Sequence, residues 1–315
     1  SREHALSKLE RIWGPGDGRA RPAGWATRLN ADGSFPPRFE IELNQMYSKC
    51  SSMADVFRIW NEYGALNGVN LATAFSRLGR SVAHDAVLIQ RVRISYEFKD
   101  MLRLLRGKIC DDATWAGPRQ LANMAHALAK LDPAAARQDA TVREELAALS
   151  TIARASSQRC HEFNTQELSN TAWAFATAGC VEPRLFEAIA KEAEQMARDF
   201  NPQELANTLW AFAKLGAKAP VMFEKLGDAA IHRAEAFTPQ NISNTAWSFA
   251  KQGLSHARVF EVLAKVGAKK IPTFSVQALS NTAWAYATNR HLSEPEFFER
   301  LGDVAARKVP DFSPN

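Results

Sequence analysis

The sequence has few cysteines and no long apolar run, and each absence argues against a class of protein. The cysteines number four and form no Cys-x-x-Cys pair, which argues against a zinc site or a disulfide framework and predicts reduced, buried thiols. No stretch approaches the roughly 18 consecutive apolar residues of a membrane-spanning helix. We therefore expect no metal, no cofactor and no membrane partner. The cysteines are Cys50, Cys110, Cys160 and Cys180.

Catalytic motifs are also missing from the sequence. The seven histidines stand singly, and there is no His-x-x-x-His pair, Gly-x-Ser-x-Gly turn, phosphate-binding loop or dinucleotide fingerprint. Because no acid, base and nucleophile converge in sequence, we predict no catalytic residues and no small-molecule substrate. An enzymatic activity would require a catalytic domain after Asn315.

Positive charge is concentrated in the first third of the chain. The net charge is +5, which favours an acidic partner. Residues 1–110 contain 17 lysines and arginines against 11 acidic residues, whereas the remaining 205 contain 22 against 23. The region that carries the repeats is therefore close to neutral.

Internal repetition is the dominant feature of the sequence. Four segments align without gaps, each ending in an Asn-Thr-x-Trp signature, at 163–173, 200–210, 237–247 and 274–284. Their signature asparagines, at 170, 207, 244 and 281, lie 37 residues apart. Such a period is typical of helical arrays whose units bury apolar surface against their neighbours. We predict an all-α fold, a right-handed α-solenoid of antiparallel helix pairs with a 37-residue repeat.

Each unit contains the signals of two helices. The first helix has an N-cap residue, at Asn164, Asn201, Thr238 or Ser275. Glu167 and Glu204 follow three residues after their caps, as in a capping box. Glycines at 179, 216 and 253 are suitable helix ends. The second helix is expected to carry a phenylalanine in its first turn, at Phe186, Phe223, Phe260 or Phe298, the last displaced by one extra residue near 290–295.

The repeat pattern weakens toward the N-terminus. Asn123 and Asn70 are placed at the signature position of two degenerate units, and the spacings of 53 and 47 residues predict longer second helices or insertions. We divide the chain into an irregular arm over 1–45, degenerate helical repeats over 46–160 and four regular repeats over 161–315. A further repeat is expected to begin at 312.

The first helix of each unit carries a polar stripe at spacings i, i+4, i+8 and i+11. Its third member is a small residue, and its others are candidate RNA contacts. These candidates are Gln166, Asn170, Thr177, Gln203, Asn207, Lys214, Gln240, Asn244, Lys251, Gln277, Asn281 and Thr288. For the asparagines two interpretations stay open: a ladder of amides that reads a ligand, or buried amides that join one repeat to the next.

The signature tryptophans also allow two interpretations. They could be platforms on which bases stack, but each could instead bury about 150–250 Å² between repeats. We favour packing, because a residue found in every unit serves the geometry common to every unit. The predicted structural core residues are Trp173, Trp210, Trp247 and Trp284.

A sequence-reading surface needs residues that vary between units. Three positions vary: Glu167/Glu204/Asn241/Ala278, Thr177/Lys214/Lys251/Thr288 and Ala178/Leu215/Gln252/Asn289. Phosphate contacts are expected from a set of basic residues in the repeats and from a basic segment upstream. The first set is Lys214, Lys251, Lys269, Lys270, Arg290, Arg307 and Lys308, and the basic segment carries Arg91, Arg93, Lys99, Arg103, Arg106 and Lys108. Solvated helix surface is the alternative interpretation of that segment.

The segment 201–216 resembles the unit of octotricopeptide-repeat proteins, and 168–176 is similar to the helical arrays that precede RAP domains. This resemblance implies an RNA-binding protein of mitochondria or plastids, whose partners are mRNA or rRNA and organellar ribosomal or RNA-processing proteins. Such proteins support RNA stability, processing or translation. The alternative function is a structural subunit of a large organellar assembly such as a mitochondrial ribosome.

Overall fold

The computed structural model describes residues 38–131, 142–290 and 295–308, and within these ranges all regular secondary structure is helical. The chain divides into two compact units, Ser1–Ser156 and Ser157–Asn315. Described helices of the first unit are α1 (Phe39–Ser48), α2 (Met53–Tyr63), α3 (Gly68–Ser81), α4 (Ala86–Ile94), α5 (Tyr96–Asp111), α6 (Pro118–Ala129) and most of α7 (Val142–Gln158).

The second unit consists of four helix pairs. The first helices of the pairs are α8 (Thr165–Ala178), α10 (Pro202–Leu215), α12 (Pro239–Gln252) and α14 (Val276–Thr288). The second helices are α9 (Pro183–Gln195), α11 (Pro220–Arg233), α13 (Ala257–Lys270) and α15 (Pro295–Arg307). Each first helix packs against the next first helix, and each second helix against the next second helix. This succession confirms the predicted all-α solenoid, while its handedness stays a prediction.

Local hydrogen bonding explains where the first helices begin and end. The side chains of Asn164, Asn201 and Thr238 accept from the backbone three residues later, and each forms a complete capping box. Gly216 ends α10 in the left-handed region (φ 70°), which glycine adopts without steric cost. Arg290 takes the same conformation after α14 (φ 53°). The predicted caps and helix ends are thus confirmed.

Phenylalanine pairs join consecutive repeats of the second unit. Phe186 meets Phe212 edge to face at 4.8 Å between ring centroids, and Phe223 meets Phe249 in the same way at 5.3 Å. In the next pair Tyr286 replaces phenylalanine, 4.9 Å from Phe260. Each pair contributes about 0.5–1.5 kcal/mol beyond the burial of its area. The aromatic core of the array therefore lies two residues after each signature tryptophan.

The signature threonines belong to this core as well. Thr171, Thr208, Thr245 and Thr282 are fully buried, and their hydroxyls have no hydrogen-bond partner in the described part of the chain. They fill space between first helices rather than forming polar contacts.

Polar contacts between repeats account for several residues that the sequence suggested as ligand contacts. The Gln252 amide donates to the carbonyls of Phe212 and Ala217 in the preceding repeat. One repeat later, the Asn289 amide donates to the carbonyl of Leu254, again in the preceding repeat. At the variable position 178/215/252/289, Gln252 at the end of α12 and Asn289 directly after α14 therefore form hydrogen bonds between repeats. The variable position at 167/204/241/278 belongs to capping boxes in three units.

The lysines at the ends of the second helices have intramolecular partners too. The Lys270 ammonium donates to the carbonyls of Glu235 and Phe237, each at 2.7 Å, and Lys308 donates to Phe274 at 2.6 Å. Lys269 pairs with Glu235 at 2.9 Å on the surface. These lysines already form intramolecular hydrogen bonds or an ion pair. A contact with phosphate would therefore have to compete with these existing interactions.

Two sequence predictions about register need correction, and one is confirmed. Helix α1 begins at Phe39, inside the range assigned to an irregular arm, while 1–37 and the repeat expected at 312 lie outside the described residues. Phe298 lies three residues after the first residue of α15, as Phe260 does in α13, so its predicted place in the first turn is confirmed. Asn70 is not at the signature position, because Asn67 caps α3 and places Thr73 there.

Insertions explain the wider upstream spacing. Helix α4 is an extra helix between α3 and α6, and α7 is longer than the second helices of the regular repeats. Asn70 is fully buried, where its amide donates to the Glu40 carbonyl at 2.8 Å. In this unit, an asparagine does join two helices, α3 and α1.

Candidate nucleic-acid interface

The exposed side of the first helices in the second unit carries the same four positions in every repeat. In α10 they are Gln203, Asn207, Trp210 and Lys214, at spacings i, i+4, i+7 and i+11. We call the four sets together the Gln-Asn-Trp face. Its members are Gln166, Asn170, Trp173, Thr177, Gln203, Asn207, Trp210, Lys214, Gln240, Asn244, Trp247, Lys251, Gln277, Asn281, Trp284 and Thr288.

The third position of the predicted stripe was wrong. Residues at i+8, such as Ala174 and Ala211, are fully buried against neighbouring helices. With about 100° of rotation per residue, i+7 lies about 20° from position i and i+8 about 80° away. The helical geometry therefore puts tryptophan, rather than the small residue, on the same side as glutamine and asparagine.

The signature tryptophans do not behave as core residues. Trp173, Trp210 and Trp247 are half-buried, and Trp284 is 44% exposed. The rings of Trp247 and Trp284 are 6.4 Å apart and tilted by 40°. Trp247 and Trp284 thus contact each other across two repeats, and all four side chains remain partly accessible, so packing describes only part of their environment.

The amides of the face are available for a ligand. All four glutamines are exposed and all four asparagines are half-buried. Within the described residues, none of these eight side chains takes part in a hydrogen bond, unlike Asn70, Gln252 and Asn289. An amide offers both donors and an acceptor, so the face presents a regular array of groups that can pair with base edges.

Two lysines add positive charge to one end of the face. Lys214 lies with its ammonium 4.6 Å from the centre of the Trp210 ring, in a cation–π contact. Lys251 occupies the same position in the next repeat and is exposed. Thr177 and Thr288 replace lysine in the outer repeats, and this variable position is exposed in three of the four repeats, while the hydroxyl oxygen of Thr177 is buried.

The basic segment of the first unit separates into two kinds of arginine. Arg91, Arg103 and Arg106 are exposed, and none forms an ion pair among the described residues. Arg93 is buried, with its Nε 2.8 Å from Oε1 of Glu145 and its Nη2 donating to the Leu131 carbonyl. The prediction of Arg93 as an RNA contact is therefore wrong, because its charge is already paired in the interior.

The cysteines have no arrangement that suggests chemistry. Cys50 and Cys160 are buried, and burial raises the pKa of the Cys160 thiol to about 12, which keeps it protonated. Cys110 is exposed and Cys180 is half-buried, so the prediction of four buried thiols was wrong for these two. In the part of the chain that the structure covers, no cluster of His, Cys, Asp and Glu could hold a metal ion. Helices long and apolar enough to cross a membrane are likewise not found there.

An open groove of about 710 Å³ lies between α9 and the start of α11. Its walls combine apolar residues such as Phe186 and Val221 with charged ones such as Glu187, Lys191 and Lys218. Neither histidine nor cysteine contributes to these walls. None of the residues that line the groove belongs to the Gln-Asn-Trp face.

Comparison with known proteins gives one family. Residues 125–315 match the family described as RNA-editing substrate-binding complex 6 protein (RESC6), which is more than half of the chain. No curated protein matches. A solved-structure comparison finds a homology model of the full-length AP-3 complex in an intermediate open conformation, with 11% identity and a TM-score of 0.34. That match covers 99% of this chain and 53% of the other, so the chain spans about half the length of that protein.

Proposed function

Because this chain belongs to the RNA-editing substrate-binding complex 6 family, we propose that it is a non-catalytic RNA-binding protein that uses the Gln-Asn-Trp face. The ligand is single-stranded RNA, either mRNA or rRNA. The family description supports a role with the RNA substrates of an editing complex, and we place that role in the mitochondrion. Membership of the octotricopeptide-repeat class stays a prediction.

The observation that carries the proposal is the combination of unpaired amides and half-exposed tryptophans. An aromatic ring at the surface can stack any base, which contributes about 1–3 kcal/mol per base. The adjacent asparagine and glutamine can then hydrogen-bond to the edge of that base. Modular RNA-binding proteins use two or three side chains per helical repeat in this way.

The charges of the face support contacts to a flexible strand. Lys214 and Lys251 can each neutralise one phosphate, whereas Thr288 offers only a hydroxyl and the hydroxyl oxygen of Thr177 is buried. The central repeats are thus expected to bind the backbone more strongly than the outer ones. The base-facing groups are the same in all four repeats, which favours a binder with little sequence preference at these positions.

A structural subunit of a large ribonucleoprotein assembly is the second candidate. The near neutrality of residues 111–315 favours it, with 22 basic against 23 acidic residues. The internal hydrogen bonds of Lys270 and Lys308 also reduce the number of cations available to RNA. Such a subunit would use the solenoid mainly against protein.

The test uses the intact chain and labelled single-stranded RNA homopolymers in fluorescence anisotropy. Trp210→Ala combined with Trp247→Ala is expected to weaken binding by about 5- to 150-fold for each base that loses its stacking partner. Lys214→Gln combined with Lys251→Gln is expected to reduce the slope of log affinity against log salt by about 1.4, since two phosphate contacts disappear.

A charge-matched control comes from the second helices. Lys225 and Lys265 are exposed on α11 and α13, and neither has an ion-pair partner among the described residues. Lys225→Gln with Lys265→Gln should leave affinity and salt slope unchanged. Equal losses in the control and in the Lys214/Lys251 variant would contradict binding at this face. An absence of RNA binding by the wild type, with only proteins recovered by crosslinking in the organelle, would favour the structural subunit.

A further inference from the structure

The first unit repeats the charge position that Lys214 and Lys251 occupy in the second unit. In each first helix this position lies 13 residues after the N-cap residue. Counting from Asn67 reaches Arg80 in α3, and counting from Gly117 reaches Lys130 after α6. The same count leads from Asn201 to Lys214 and from Thr238 to Lys251.

Helices α3 and α6 pack together closely beside these two cations. A Cβ atom added to Gly79 would lie 3.0 Å from the carbonyl oxygen of Ala127 and 3.3 Å from its Cα. Arg80 directly follows Gly79, and Lys130 lies one helical turn after Ala127. His126 directly precedes Ala127 and occupies the position of the signature tryptophan. Arg80, His126 and Lys130 therefore all lie within one helical turn of the point where the two helices cross.

The positive charges of this cluster disfavour protonation of its neighbouring basic groups. Burial, followed by Lys130 and Arg80, lowers the pKa of His126 to about 4. Burial and then Arg80 also lower the pKa of Lys130. Neither Arg80 nor Lys130 has an ion-pair partner in the ranges that the structure describes. Among the described residues, Lys130 and Arg80 are thus two cations without an ion pair, close enough for Arg80 to lower the pKa of Lys130.

Stabilisation of the helix ends is the simplest alternative role for these cations. A cation near a helix C-terminus contributes about 0.3–1 kcal/mol through the helix dipole. Mutual repulsion and partial burial act in the opposite direction, however, and a single cation would give the dipole term without them. A bound anion would remove the repulsion and add charge-assisted hydrogen bonds.

We propose that Arg80 and Lys130 form a binding site for the phosphate groups of RNA in the first unit. The arginine binds two phosphate oxygens, and the lysine supplies a second positive charge. The RNA ligand rests on the proposed function, whereas the anion site stands on the local geometry alone.

The test compares the wild-type chain with the Arg80→Gln/Lys130→Gln variant. In the variant, the slope of log affinity for single-stranded RNA against log salt is expected to fall in magnitude by about 1.4, because two phosphate contacts are lost. Arg80→Lys keeps the charge and should retain most of the slope. The Lys225→Gln/Lys265→Gln variant again serves as the charge-matched control.

Thermal melting separates a ligand site from a stabilising role. We expect the Arg80→Gln/Lys130→Gln variant to melt at the wild-type temperature or slightly above it, because repulsion is removed. A clear drop in melting temperature with an unchanged salt slope would overturn the proposal in favour of helix-end stabilisation.

Melting in millimolar inorganic phosphate then distinguishes the source of the anion. If the wild type binds RNA and the variant keeps its full salt slope, this site is refuted while the proposed function stands. If the wild type binds no RNA but phosphate raises its melting temperature only when Arg80 and Lys130 are present, the anion site stands and RNA is the wrong ligand. If phosphate gives no such shift and RNA binding still depends on both residues, the site requires a polymeric phosphate backbone.

Discussion

Arg93 offers the sharpest test of how the first unit is built. Its guanidinium is 5% exposed and the carboxylate of Glu145 is completely buried, with 2.8 Å between Nε and Oε1. The same arginine donates to the Leu131 carbonyl, so one side chain joins α4, the end of α6 and α7. Replacing it with methionine removes a buried charge and two hydrogen bonds.

The expected destabilisation follows from the charge that remains. Removing one partner of a buried ion pair costs about 3–5 kcal/mol, because the other charge is left uncompensated in the interior. Since 1 kcal/mol shifts the melting temperature of a unit of this size by about 2–4 °C, Arg93→Met should lower it by on the order of 10 °C. Circular dichroism with temperature measures this shift.

Arg91 provides a control on the same helix. It is exposed, so Arg91→Met should change stability by no more than about 0.5 kcal/mol. Combining Arg93→Met with Glu145→Leu should recover much of the loss, because an apolar pair can replace a buried ion pair at little cost. If Arg93→Met melts like Arg91→Met but binds RNA more weakly, the buried pair is not the role of Arg93, and the original expectation of an RNA contact is restored.

Two further predictions concern stability. The pKa of His126 is about 4 in the folded chain and about 6.5 when unfolded, so the unfolded state binds the proton first as the pH falls. The free energy of unfolding should therefore decrease by about 2 kcal/mol between pH 7 and pH 5, and chemical denaturation should show that His126→Gln removes this loss. An unchanged pH profile in that variant would contradict the assignment to His126. Gly227→Ala should destabilise the chain, since the new Cβ would lie 2.9 Å from Cζ of the buried Phe249. In Gly302→Ala the new Cβ meets nothing within 4 Å, so this change should stabilise α15 by up to about 1 kcal/mol. Equal shifts of the melting temperature in the two variants would argue against the close contact at Gly227.

Short-range chemistry is the part of this fold that sequence reasoning predicts well. The caps at Asn164 and Asn201 and the glycine at 216 depend on hydrogen bonds and backbone conformations within a few residues, and all three are where the pattern placed them. The solenoid itself follows from repetition, since units that recur must pack on one another.

Long-range pairing is the part that could not be predicted. Arg93 and Glu145 are 52 residues apart, and nothing near either residue marks it as half of an ion pair. Gln252 and Asn289 similarly look like variable surface residues until the carbonyl groups of the preceding repeat are in place. By contrast, the correct stripe could have been found, because rotation per residue alone puts the tryptophan at i+7 beside the glutamine.

The tryptophans show why recurrence in every repeat is a weak guide to role. Recurrence in every unit suggests packing, because the geometry common to all units is the contact between them. The structure buries the phenylalanine two residues later completely in that contact and leaves tryptophan half-buried beside unpaired amides. A polymeric ligand whose units all present a flat base imposes the same uniformity, because every base offers a π-face to an aromatic ring. Uniform tryptophans and asparagines are therefore compatible with repeated contacts along an RNA strand, and the exposed differences between repeats concentrate at Lys214, Lys251 and Thr288.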